Sequence, residues 1–230
     1  MTHEEKHFKG SVVIRDIVIG MADGLTVPFA LTAGLSGAFH DNTIIITAGI
    51  AEIAAGSIAM GLGGYLAGKT EHDHYEAELK REYDEVENLP EKEKAEIEEI
   101  LADYGISNIV KKEFVDELSL DKDKWVEFMM KFELGLERPE LNRARNSALT
   151  IAASYIAGGF IPMASYFFTT SPTTGLYYSA LVTIVALALF GFFKNKAIGQ
   201  NPWNGALKVT IIGVIAAGSA FIIAKIISGH

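Results

Sequence analysis

The chain has 230 residues, of which 49% are hydrophobic, a formal net charge of −9 and no cysteine. Without cysteine, neither a disulfide framework nor a thiolate metal site can form. Acidic side chains dominate residues 69–140, where there are 23 Asp and Glu against 11 Lys and Arg, while the rest of the chain is slightly basic. This acidic block excludes nucleic acid as a partner, because phosphate recognition needs clustered Lys and Arg, and it favours cations.

Five segments of the chain are apolar enough to cross a bilayer as helices, which requires about 20 mostly apolar residues each. They cover residues 12–39, 43–67, 147–168, 176–193 and 204–227. No strand-like alternation of polar and apolar residues appears between them. The sequence therefore predicts an all-α membrane protein with five transmembrane helices, and the acidic block forms a helical insert between helices 2 and 3.

The distribution of basic residues predicts the orientation of the spans. The connections at residues 39–43 and 169–175 contain no Lys or Arg, whereas the opposite ends of the spans carry several. The positive-inside rule therefore places the N-terminus and the insert in the cytoplasm. We expect a cytoplasmic tail at residues 1–11, transmembrane helices 1 and 2 at 12–67, a cytoplasmic metal-binding domain at 68–144, and transmembrane helices 3–5 at 145–230.

Two carboxylates lie inside the first two apolar segments, Asp23 in one and Glu52 in the other. An ionised side chain at the centre of a bilayer costs at least ~2.5–3.5 kcal/mol, so such groups normally face water, a partner or an ion pathway. Met60 follows Glu52 by eight residues, about two helical turns along the same face. These three side chains predict a mixed sulfur and oxygen path for a cation.

A proline interrupts the first apolar segment next to one of these acids. Pro28 has no N–H to donate to the carbonyl of Gly24, four residues earlier. Opened backbone at membrane depth is tolerated only where it is buried or lines a cavity. Because Gly24 adjoins Asp23, we expect the carbonyl of Gly24, which lacks its helical hydrogen bond, to lie close to the carboxylate of Asp23. A simple proline kink, or close helix packing at Gly24, is the plainer alternative.

Four glutamates flank a predicted turn at Leu89. Glu82 and Glu85 share one face of the helix before it, and Glu93 and Glu96 share one face of the helix after it. If the two helices fold back as a hairpin, residues at equal distances from the turn meet. Carboxylates that close require protons or cations between them, which predicts a divalent metal site. A solvated acidic face is the alternative.

The last predicted helix of the acidic block combines sulfur with a carboxylate. Met129 and Met130 precede Glu133 by four and three residues, so one helix face could present all three. A set of soft thioether and hard carboxylate ligands suits a transition metal better than Ca²⁺ or Mg²⁺. Alternatively, the methionines fill a hydrophobic core, as methionines in amphipathic helices usually do.

Two membrane motifs resemble the vacuolar iron transporter family: Asp23-Gly-Leu-Thr-Val-Pro-Phe-Ala-Leu-Thr-Ala-Gly34 and Ala51-Glu-Ile-Ala-Ala-Gly-Ser-Ile-Ala-Met60. The likeness covers nearly the whole chain. It implies a homodimer of five-helix protomers that exports Fe²⁺ from the cytosol in exchange for protons, along a path lined by the first helices. By match to the family, Asp23, Glu52 and Met60 resemble its translocation residues. The resemblance assigns cytoplasmic metal binding to Glu82, Glu85, Glu93, Glu96, Met129, Met130 and Glu133.

The expected cargo and surroundings follow from these features. Fe²⁺ is the implied substrate, although Mn²⁺, Co²⁺ and Zn²⁺ fit similar ligands, and no cofactor is expected. No P-loop is present, so uphill transport would be driven by the gradient of another solute and not by ATP hydrolysis. The expected partners are membrane lipid, a second copy of the chain, divalent metal ions and protons. The expected membrane is vacuolar in a plant or fungus and the plasma membrane in a prokaryote.

Two other classes of function remain open at the level of sequence. A membrane-anchored metal buffer or sensor would use the insert alone, and would have no need of Asp23 and Glu52. A di-iron membrane oxidase would need two Glu-x-x-His motifs on core helices. The sequence contains that spacing at Glu71 to His74 and again at Glu4 to His7, and neither copy lies in an apolar segment.

Overall fold

The computed structural model describes residues 10–228, and α-helix is the one type of regular secondary structure in this part of the chain. Residues 1–9, which carry most of the predicted tail and the Glu4 to His7 motif, lie outside the described residues. Eight helices follow one another: α1 (Gly10–Ala38), α2 (Asn42–Asn88), α3 (Pro90–Asp103), α4 (Asn108–Leu118), α5 (Lys122–Phe132), α6 (Arg143–Phe167), α7 (Pro172–Ala197) and α8 (Pro202–Ser228).

Five of these helices are long and apolar enough to cross a membrane, namely α1, α2, α6, α7 and α8. The predictions of an all-α protein and of five candidate membrane spans are thereby confirmed. The fourth helix is longer than the predicted 176–193, since it begins at Pro172. Proline suits the first turn of a helix, where its missing N–H would have no partner in any case.

Helix α2 joins an apolar segment to a charged one without a break. It contains 47 residues, and no proline separates residues 43–67 from the charged stretch that follows. At 1.5 Å per residue the helix is about 70 Å long, more than twice the roughly 30 Å of a hydrocarbon core. Only its apolar part can lie in a bilayer. The break predicted at Leu89 is present, and Pro90 starts α3.

The chain divides into two compact units, one formed by Leu66–Arg143 and the other by the remainder. The unit Leu66–Arg143 has a hydrophobic core to which α2, α3, α4 and α5 all contribute. Trp125, at 4% exposure, lies in this core. The other buried members are Val86, Ile97, Leu101, Val115, Val126, Met129 and Met130.

The second unit, with the five apolar helices, reverses the usual distribution of polarity. On α7, Ser179 and Thr183 are completely buried, whereas Leu181 is 63% and Phe193 is 59% exposed. Soluble proteins rarely expose such extended apolar surfaces, so these outer faces fit contact with lipid. Small and polar residues inside the unit allow its helices to approach one another closely.

Helix α6 packs against both α1 and α2 at glycines. A Cβ atom on Gly20 would collide with the backbone of Ile151, and one on Gly24 would collide with the backbone of Tyr155. On α2, a Cβ atom on Gly56 would overlap the Tyr155 side chain. Tyr155 therefore lies where α1, α2 and α6 meet.

Candidate functional site

The glutamates predicted around Leu89 converge in the unit Leu66–Arg143. One carboxylate oxygen from each of Glu82, Glu85 and Glu93 lies within 4.8 Å of the others. A second group of the same dimension comprises Glu93, Glu96 and Glu133. Glu93 belongs to both groups, so α2, α3 and the end of α5 supply one continuous set of five carboxylates, which we call the glutamate cluster.

Two members of the glutamate cluster are buried. Glu82 is 1% exposed and Glu93 is 0% exposed. Neither oxygen of either carboxylate has a hydrogen-bond partner among the described residues. A buried charge is strongly disfavoured unless it is paired or coordinates a metal. An arrangement of inward-facing oxygens without donors is therefore suited to a bound cation.

Burial and mutual repulsion raise the pKa values of these acids. Burial is the largest cause of the rise in the pKa of Glu82 to about 7, followed by the charges of Glu133 and Glu85. The pKa of Glu93 also rises to about 7, first through burial and then through Glu96 and Glu82. Burial likewise raises the pKa of Glu133. Near neutral pH the cluster is poised between holding protons and offering charged ligands.

Two basic side chains reach into the glutamate cluster. Arg81 lies 3.6 Å from Glu85 and 3.7 Å from Glu82. Lys92 lies 3.0 Å from Glu96 and 3.6 Å from Glu93. These cations partly neutralise the negative charge of the cluster.

The two predicted methionine ligands lie in the hydrophobic core of the same unit. Met129 is 0% and Met130 is 2% exposed, and both pack with Trp125 and Val126. Their helix continues to Glu133, whose backbone N–H donates to the carbonyl of Met129. This placement fits core filling, while the neighbourhood of Glu133 keeps ligation by a thioether as a prediction.

In the apolar unit, Glu52 on α2 has one partner from another helix. The hydroxyl of Tyr155 on α6 donates to Oε1 of Glu52 at 2.5 Å. The second oxygen of Glu52 is buried and has no hydrogen-bond partner in the described part of the chain. One oxygen of this carboxylate is thus held by a phenol, and the other is buried without a donor among the described residues.

The other predicted path residues lie around the same junction. Asp23 on α1 is half-buried, one residue before Gly24, which packs against Tyr155. Met60 is also half-buried and follows Glu52 on α2 by eight residues. Helix α1 continues through Pro28, and Gly24 packs against the backbone of Tyr155. Gly24 is therefore required for close packing, while a role for its freed carbonyl stays a prediction.

The two residues of the di-iron alternative's histidine motif have ion-pair partners of their own. Glu71 pairs with Arg143 at 2.9 Å, and His74 is exposed beside Glu78 at 3.9 Å. Among residues 10–228, the groups able to hold a metal ion through His, Asp or Glu contain glutamates alone. The geometry around His74 therefore gives no support to a carboxylate-histidine centre.

Comparison with known proteins decides the family. The model of the VIT family matches residues 14–225, almost the entire chain. The chain belongs to the VIT family. It is 52% identical over 223 residues to "Vacuolar iron transporter 1" of Tulipa gesneriana, covering 97% of this chain and 90% of the relative. It is 49% identical over 225 residues to the protein of that name in Arabidopsis thaliana, covering 98% and 90%. Protein CCC1 of Saccharomyces cerevisiae is 40% identical over 223 residues, covering 94% and 69%.

Sequence reasoning about this VIT family member missed three side chains at its sites. Tyr155 is a hydroxyl-bearing aromatic in an apolar segment, and such a buried phenol usually has a hydrogen-bond partner. That signal was visible, but nothing in the sequence indicated Glu52 as the partner. Arg81 and Lys92 are surrounded by acids in the sequence, and only the folded structure shows that both approach Glu85.

Proposed function

We propose that this chain transports Fe²⁺ out of the cytosol across a membrane in exchange for protons. Membership of the VIT family and the names of its relatives support iron as the cargo. The observation that carries the proposal is the environment of Glu52, one of whose oxygens accepts a hydrogen bond from Tyr155 while the other has no donor among the described residues. An acid in an apolar helix that keeps one buried oxygen without a donor is suited to a passing cation.

The proposed path begins at the glutamate cluster and continues in the apolar helices. Cytosolic Fe²⁺ binds first to the carboxylates around Glu93, with Met129 and Met130 as further proposed ligands. It then passes to Met60 and Glu52, and from there to Asp23. Mn²⁺, Co²⁺ and Zn²⁺ are proposed as additional cargo because they accept the same mixture of ligands.

Proton coupling follows from competition between protons and metal ions for the buried carboxylates of the glutamate cluster. A buried carboxylate favours its protonated form, and a divalent cation favours the ionised form. Arrival of the metal therefore releases protons, and its departure allows them to return. The raised pKa of Glu82 and Glu93, each about 7, supports the same exchange at the glutamate cluster.

The proposal includes a topology and an assembly. The N-terminus and residues 68–144 face the cytoplasm, as the distribution of Lys and Arg favours. Two copies form a homodimer within the membrane, which is the vacuolar membrane in a plant or fungal cell. Cysteine-specific labelling tests the topology directly, since the natural chain contains no cysteine and single cysteines can be introduced on either side.

Metal flux into proteoliposomes, measured with and without a pH gradient, tests the transport function. We expect Asp23→Asn and Glu52→Gln to reduce Fe²⁺ uptake at least tenfold, while the exposed Asp103→Asn retains it. An Fe²⁺ uptake rate that is the same with and without the pH gradient would contradict proton exchange. If both membrane variants still transport at the normal rate, Asp23 and Glu52 are not translocation residues. If the natural protein gives no flux, the apolar helices serve only as an anchor and the chain is a metal buffer.

A further inference from the structure

We propose that Arg81 and Lys92 are built-in counter-ions that occupy the glutamate cluster in its metal-free state and are displaced when metal binds. This inference rests on the proposed function, because it takes the cluster to be a metal site. Its content is distinct: the affinity of the site is set by two basic side chains as well as by the ligands. They lower the affinity for every divalent cation, so only a strongly bound metal occupies the cluster.

Lys92 bridges three of the five carboxylates. Its ammonium group lies 3.0 Å from Glu96, 3.6 Å from Glu93 and 3.8 Å from Glu85. Glu93 belongs to both groups of converging oxygens. A divalent cation bound there would lie within a few ångströms of the ammonium, and two positive charges that close repel each other. Metal binding therefore requires Lys92 to move away.

Arg81 approaches the cluster from α2 and also pairs with Glu78, an acid outside the cluster. Its guanidinium lies 3.7 Å from Glu82 and 3.6 Å from Glu85, yet its shortest ion pair is with Glu78 at 2.7 Å. Glu78 lies outside both groups of converging oxygens. Arg81 can therefore release the cluster and keep a charged partner, which makes its displacement reversible at little cost.

Differences in exposure decide which groups move and which stay. The side chains of Arg81 and Lys92 are 50% and 55% exposed, whereas those of Glu82 and Glu93 are 1% and 0% exposed. Long basic side chains at a surface readily carry their charge into water. The buried acids have no such freedom. An incoming metal thus replaces the mobile cations while the carboxylates remain in place.

Removing a counter-ion has two effects of opposite sign. Without metal, the carboxylates repel one another more strongly and the fold loses stability. With metal, the competitor is absent and binding tightens. A residue that merely supported the fold would not improve metal binding when it is removed. The combination therefore distinguishes a displaced counter-ion from a structural ion pair.

A calorimetric titration of the full-length protein in detergent with Mn²⁺ alone tests the inference. We expect Lys92→Met to lower the dissociation constant for Mn²⁺ about fivefold. This factor corresponds to the roughly 1 kcal/mol that an exposed ion pair contributes. Its melting temperature without metal should fall. Lys92→Arg should bind Mn²⁺ as the natural protein does. Lys94→Met is the matched control, because Lys94 lies on the same helix and pairs with Glu91, which is outside the cluster.

The outcomes separate this inference from the function on which it rests. If the natural protein does not bind Mn²⁺, or if Glu93→Gln leaves that binding unchanged, the cluster is not a metal site. Both the counter-ion role and the proposed first step of the transport path then fail. If the natural protein binds and Lys92→Met matches Lys94→Met, only the counter-ion role is overturned. Weaker binding by Lys92→Met would also overturn it. Lys92→Gln repeats the test with a shorter polar side chain should the Met variant be unstable.

Discussion

Tyr155 on α6 donates a hydrogen bond to Glu52 on α2 across 2.5 Å, between two helices that are far apart in the sequence. Gly56, one turn after Glu52, makes room for the ring, since any Cβ there would overlap the phenol. Gly24 on α1 contacts the backbone of the same tyrosine. One aromatic residue thus positions an intramembrane acid and joins three helices.

We predict that Tyr155→Phe impairs transport while the protein remains folded. The ring still packs, but Glu52 loses its donor, and a hydrogen bond to a charged group contributes about 1.5–3 kcal/mol. Fe²⁺ flux into proteoliposomes should fall roughly tenfold or more. Tyr178→Phe on the exposed face of α7 is the matched control and should leave flux unchanged. Normal flux in Tyr155→Phe would show that Glu52 needs no support from the phenol.

We predict that Gly24→Ala disrupts the contact between α1 and α6. The added methyl group would collide with backbone atoms of Tyr155, which cannot move as a flexible side chain can. Both the melting temperature and the flux should fall. Gly63→Ala, in the middle of α2, meets no atom within 4 Å and should be neutral or slightly stabilising, since alanine favours helix by up to ~1 kcal/mol. Equal effects of the two changes would refute this packing role.

We predict that Glu82→Gln and Glu93→Gln stabilise the metal-free protein at pH 8 and weaken its response to metal. Each change removes a buried charge and a repulsion, and also removes a proposed metal ligand. Thermal melting with and without Mn²⁺ measures both effects, with the exposed Glu98→Gln on α3 as the control. A metal-induced rise in melting temperature that survives both changes would exclude these acids as ligands.

We predict that the unit Leu66–Arg143 loses stability as pH rises from about 4.5 to 7. The folded state keeps its protons up to a pKa of about 7 at Glu82 and Glu93, above their ordinary 4.5. It therefore binds more protons than the unfolded chain in that range, and the associated stability is lost as pH increases. Above pH 8 the effect should level off, and Mn²⁺ should restore stability there.

Trp125 provides the readout for this pH dependence. It lies in the core of the unit, and the second of the two tryptophans, Trp203, is 73% exposed on α8. Melting followed by fluorescence in a Trp203→Phe background therefore reports on the unit alone. The double variant Glu82→Gln/Glu93→Gln should remove most of the slope between pH 4.5 and 7, and the raised pKa of Glu133 accounts for the rest. An undiminished slope in the double variant would assign it to other groups.

The sequence by itself determined the helical class, the five spans and the break at Leu89. These depend on local signals, namely hydropathy over about 20 residues and a proline at a first helical turn. It also singled out Asp23 and Glu52, because an acid among apolar neighbours is conspicuous without any structure. The continuity of α2 was missed, since a change of polarity resembles an end of a helix although no residue there stops it.

Tertiary structure alone decided which side chains meet. The glutamate spacing was equally compatible with a solvated face, and only the packing of α2, α3 and α5 buries Glu82 and Glu93. The hydrogen bond from Tyr155 to Glu52 joins residues 103 positions apart, and the shared attachment of Arg81 and Lys92 to Glu85 joins two helices. Burial and charge pairing depend on distances in space, which the order of residues along a chain does not specify.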